Sequence, residues 1–70
     1  MNRDAVTAEL IALTQEVGAT PCKVRVAVRE RLGSDIEHPL IVYSPKGPAM
    51  RIYTKEGIIW VPVPEAWMFK

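Results

Sequence analysis

The segment GATPCKVRVAVRERLG, residues 18–33, constrains this chain more than any other, because two incompatible periodicities run through it. Val24, Val26 and Val28 alternate with Lys23, Arg25 and Arg29, the pattern of a half-buried strand. The ends favour a helix. Thr20 is a strong N-cap residue, and Pro21 follows at the first helical position, where a missing N–H costs nothing. Gly33 stands directly after the last apolar residue, Leu32, as a stop. On a helical wheel Val24, Ala27, Val28 and Leu32 share one arc, with Arg31 at its border. Cys22, Arg25, Val26 and Arg29 share the opposite arc, so only Val26 is out of place. A strand over the same residues is unusually long and leaves Glu30 and Arg31 unexplained. We therefore read a helix at about 21–32, with the strand as its competitor.

The flanking residues follow a simpler grammar. Val6, Leu10, Leu13 and Val17 fall on one face of a helix predicted over 3–17, begun by Asn2 or Asp4 and closed by Gly18. After Gly33, Ser34-Asp35 and His38-Pro39 mark a loop. LIVY (residues 40–43) is a short strand, SPKGP (44–48) a turn, MRIYT (50–54) an alternating strand, KEG (55–57) a turn, and IIWV (58–61) a return strand. Pro62 and Pro64 bar further central-strand pairing. The tail EAWMFK is too apolar to extend into water. The predicted architecture is one α+β domain over residues 1–70. It has a helical pair at about 3–33, an antiparallel hairpin or three-stranded meander at about 39–63, and an apolar tail at 64–70.

A chain of 70 residues buries a small core, worth roughly 3–5 kcal/mol of net stability. Cys22 is its only cysteine, so no internal disulfide supports it, and a reducing, cytoplasmic setting is expected. No set of Cys, His and carboxylates has metal-site spacing. Self-association, as a homodimer, is the expected missing support. The first residues lack the pattern of a signal peptide, and no apolar run approaches the roughly 20 residues of a membrane span. Cys22 and His38 have no third residue to orient them, and SPKGP lacks the spacing of a phosphate-binding loop, so neither an enzyme nor a cofactor is expected. Net charge is +1, but Lys23, Arg25, Arg29 and Arg31 crowd one segment with Glu30 the only acid among them. Trp60, Trp67, Met68 and Phe69 either fold back on the first helix or form a surface for a second subunit or another protein. A stacking platform for single strands fits them less well, because Glu65 is acidic and few cations stand beside the tail.

VGATPCKVRVAVRERLG (17–33) resembles the helix-turn-helix of small bacterial and phage DNA-binding proteins. In that pattern an apolar residue and a Gly close one helix, and a small residue follows. Ser or Thr then caps the second helix, often with Pro behind it, and a β-branched residue stands six places after the Gly. Val17, Gly18, Ala19, Thr20, Pro21 and Val24 occupy those places. The hairpin at 50–61 is similar to the wing of winged helix-turn-helix domains; outside residues 8–33 the resemblance rests on element order. It implies that the helix at 21–32 lies in the major groove, with Arg25, Val26 and Arg29 at base edges. It also implies phosphate contacts from Thr20, Lys23 and the free N–H groups of that helix, and backbone contacts from Lys46, Arg51 or Lys55. The expected function is a small sequence-specific binder of double-stranded DNA, a transcriptional regulator or excisionase-like accessory factor. The alternative is a small protein-binding adaptor or inhibitor that uses the apolar tail and has no DNA affinity.

Overall fold

The computed structural model describes residues 3–69, apart from the side chain of Phe69. Asn2, one of the two expected caps of the first helix, lies outside the described residues. The order is α1 (Arg3–Thr14), α2 (Pro21–Leu32), β1 (Leu40–Ser44), β2 (Gly47–Thr54), β3 (Gly57–Pro62) and a final 3-10 helix (Glu65–Phe69). This is the α+β arrangement read from the sequence, with a three-stranded antiparallel sheet in the order β1-β2-β3. None of the described helices is long and apolar enough to cross a membrane.

The competition in residues 21–32 resolves as a helix. Thr20 is extended and its hydroxyl oxygen accepts from the Lys23 N–H at 3.2 Å, while Pro21 opens the first turn. The N–H of Gly33 donates to the Arg29 carbonyl at 3.0 Å, and its φ of +104° turns the chain away. Val24, Ala27 and Val28 are buried and Leu32 is half-buried, while Val26 is 52% exposed, as the wheel requires.

The first helix is shorter than its apolar spacing suggests. Thr14 is buried, and its hydroxyl donates to the Ile11 carbonyl at 2.6 Å, with the Pro62 carbonyl 3.5 Å away on the sheet. Gln15 and Glu16 then bond back to Ala12 and Leu13, the tighter three-residue spacing of a helix end. That change of pitch swings Val17 off the core stripe, and it is fully exposed at 105%. Gly18, with φ +80°, completes the reversal into α2.

Two-residue turns set the sheet register. Ser44 donates its hydroxyl to the Gly47 carbonyl at 2.6 Å and accepts from the Lys46 N–H at 3.2 Å. Thr54 closes the second turn in the same way on Gly57. Gly47 and Pro48 therefore already belong to β2 rather than to the turn. Partners directly opposite share a face, so Ile41, Met50 and Val61 form one inward row and Ile52 with Ile59 the next. These meet Leu10, Val24 and Val28 from the helices in a single core. Full burial of a side chain such as Leu10 or Ile52 contributes about 1.5–3 kcal/mol each.

Candidate nucleic-acid interface

α2 presents its charged arc outward because Val24, Ala27 and Val28 are buried in the core. Cys22, Val26, Arg29 and Glu30 are exposed and Arg25 is half-buried. The Arg29 side chain makes no hydrogen bond or ion pair with the described residues, and the residue is exposed, so its guanidinium donors face solvent. Arg25 differs: its Nε donates to the Pro39 carbonyl at 2.9 Å, which ties α2 to the chain entering β1. The rest of its guanidinium fork is left for an outside acceptor. Lys23 folds back over the first turn, its Nζ donating to the Gly18 carbonyl at 3.0 Å on the surface. Arg31 is paired with Glu9 at 2.5 Å, which anchors α2 to α1 and removes that cation from the arc.

Thr20, Lys23, Arg25, Val26 and Arg29 thus lie along one helix. The other three cations assigned to DNA do not join them. Lys46 and Lys55 sit in turns at opposite ends of β2, roughly 30 Å apart at the rise of an extended strand. Lys55 shares a cavity of about 520 Å³ with Arg31 and Leu32 at the far end of α2, but Asp35, Glu37 and Glu56 line it too. Arg51 pairs across the sheet with Leu40 and Trp60, so it points away from both helices. The strands form a sheet whose inner face packs against both helices.

The four residues expected at a partner surface also separate. Trp67 is half-buried and packs on the core that contains Leu10 of α1, and the 3-10 helix rests against β1 and β2. Met68 is half-buried, and the side chain of Phe69 lies outside the described residues. Trp60 stands on the opposite face of the sheet, 45% exposed. Strand alternation explains the split, since Trp60 follows the inward Ile59 and precedes the inward Val61. The Tyr43 hydroxyl donates to Glu65 Oε1 at 3.2 Å, and this bond with the carboxylate charge raises the phenol above its usual 10.0.

Sequence reasoning overlooked the row around Trp60, formed by Leu40, Tyr53 and Ile58, each 41–50% exposed. The signal was present in the apolar residues at alternate positions of both rows, but apolar rows on both faces hide which is outward. Cys22 is free and exposed, and no group of metal-ligating side chains occurs among the described residues. Comparison with protein-family models, curated proteins and solved structures finds no match to this chain.

Proposed function

We propose that this chain is a small DNA-binding protein that lays the outward side of α2 in the major groove. The observation that carries the reading is the outward arc of a capped helix, with Val26 and Arg29 exposed, Arg25 half-buried beside them, and the Arg29 side chain unpaired among the described residues. Two arginines one turn apart suit bidentate contacts to guanine, and the valine between them suits a thymine methyl. The first turn supports a phosphate. The Cys22 N–H is the first-turn donor left over, since Pro21 has none and the Lys23 and Val24 N–H groups both bond Thr20; the Thr20 hydroxyl keeps its proton for donation, and Lys23 Nζ holds only a surface bond. A regulator or excisionase-like accessory factor is the role that matches a helix of this kind. One α2 offers few contacts, so two copies on half-sites about one helical turn apart complete the reading.

The test is a selection from random duplex DNA at two salt concentrations, followed by variants on the selected site. About three phosphate contacts per copy give a log–log salt slope near −2.7. Arg29→Ala is the clean variant, because that side chain holds nothing else in the fold, and it is expected to weaken the selected site by about 10–100-fold. A selection that returns no sequence preference, or an Arg29→Ala chain that binds its site unchanged, rejects this reading of α2.

A further inference from the structure

The outward row of the sheet is apolar and carries a single cation. Leu40, Tyr53, Ile58 and Trp60 are all substantially exposed, and Val42 and Pro62 extend the row across the three strands. Arg51 sits at its middle, between its cross-strand partners Leu40 and Trp60, with its guanidinium carbon 5.1 Å from the centre of the Tyr53 ring. The Nε of Arg51 is buried and has no acceptor among the described residues. No strand of the sheet contains an acidic residue and Arg51 has no ion pair among the described residues; Asp35, Glu37 and Glu56 lie off the strands, in the cavity that Tyr53 borders at one end of the row. Beside Trp60 a groove of about 440 Å³ opens against Pro62 and the turn of Pro45 and Lys46, with Ala49 as its floor.

We propose that this face docks a protein partner through an apolar segment bearing one carboxylate. That Asp or Glu pairs with Arg51, and the segment's apolar side chains cover Trp60, Tyr53 and Leu40 and fill the groove. Arg, Trp and Tyr are the residue types that concentrate binding energy at the centre of protein interfaces, inside a ring of apolar contacts that exclude water. Here they form the centre and the aliphatic residues form the ring. Charge selects the occupant. The Nε itself is covered, so an outside carboxylate meets the terminal N–H groups of the guanidinium, whose planar fork matches it. A second copy packed face to face fits poorly, since the strands of its own face carry no acid and two Arg51 groups would oppose each other. A nucleic acid needs cations along several phosphates, whereas this row supplies Arg51 with Lys46 at its edge. The proposal stands independently of the reading of α2, from which Arg51 points away.

The probe is a library of short peptides with one fixed Asp or Glu among randomised Leu, Ile, Val, Tyr and Pro, set against a matched library carrying Asn or Gln instead. Both are screened on the full chain, and the best peptide is titrated while amide, Arg side-chain and Trp indole resonances are followed. The acidic library is expected to yield binders that shift Arg51, Tyr53, Trp60 and Leu40. Arg51→Met and Trp60→Ala, each with an otherwise unchanged amide spectrum, are expected to weaken binding about 10-fold or more, and Arg29→Ala is expected to leave it alone. Failure to select any acidic binder, equal selection from the amide library, or shifts confined to another surface overturns the proposal. So does displacement of the peptide by oligothymidine, or self-association that Trp60→Ala abolishes.

Discussion

Arg25 and Arg29 sit one turn apart on α2, yet their removal is expected to have different consequences for stability. Arg25 Nε donates to the Pro39 carbonyl at 2.9 Å in a part-buried setting, joining the helix to the entry of β1. A hydrogen bond from a charged donor contributes about 1.5–3 kcal/mol, and the partial exposure of Arg25 brings this toward about 1–2 kcal/mol. At about 4–8 °C per kcal/mol for a domain of this size, Arg25→Ala is expected to lower Tm by roughly 4–16 °C. Arg29→Ala removes a side chain with no partner among the described residues, so its Tm is expected to stay within the about 0.5 kcal/mol of ordinary surface substitutions. Thermal unfolding followed by circular dichroism, with urea midpoints as a second measure, separates the two. Equal Tm values for the two variants would refute the bond between α2 and Pro39. The difference also governs the DNA experiment: a loss of affinity in Arg25→Ala mixes recognition with stability, whereas in Arg29→Ala it reports recognition alone.

Ile52 is fully buried at the centre of the sheet, and Ile52→Ala is expected to cost about 2–5 kcal/mol; against a small core this leaves a large unfolded fraction by urea titration at room temperature. Thr20→Ala removes the cap that accepts from Lys23 and is expected to destabilise by about 0.5–2 kcal/mol, whereas Val17→Ser, at a fully exposed position, is expected to change stability by less than about 0.5 kcal/mol. A large loss in Val17→Ser would restore Val17 to the core and lengthen α1. The Tyr43 phenol is expected to titrate above 10.0 in an NMR pH series, and Glu65→Gln to bring it back down. A raised folded value means that this contact contributes fully below pH 10.0 and is lost as the pH climbs through the folded pKa.

Much of the fold was legible from signals a few residues long. Thr20-Pro21 and Gly33 fix α2 despite its alternating valines, because a cap, a prolyl φ and a left-handed stop act within one helical turn. The turn residues at 45–46 and 55–56 likewise fix a meander, since a two-residue connection leaves adjacent strands no other way to pair. The arc of Arg25, Val26 and Arg29 was visible for the same reason: side-chain direction on a helix follows from spacing alone. The end of α1 was not, because Thr14 stops the apolar stripe through bonds to Ile11 and toward Pro62, and the second of these is distant in sequence.

The sheet shows where local signals run out. Both of its rows are apolar, so alternation says that Ile59 and Trp60 face opposite ways but not which of them faces the helices. That choice belongs to tertiary packing. Leu10, Val24 and Val28 complete a closed core against Met50, Ile52 and Val61, and Trp67 packs on the same side. The other row, with Arg51 in its middle, is left to solvent. Caps, turns and periodicity therefore determined which elements form and in what order. Only the folded chain decided which face is covered, because that depends on contacts between residues tens of positions apart.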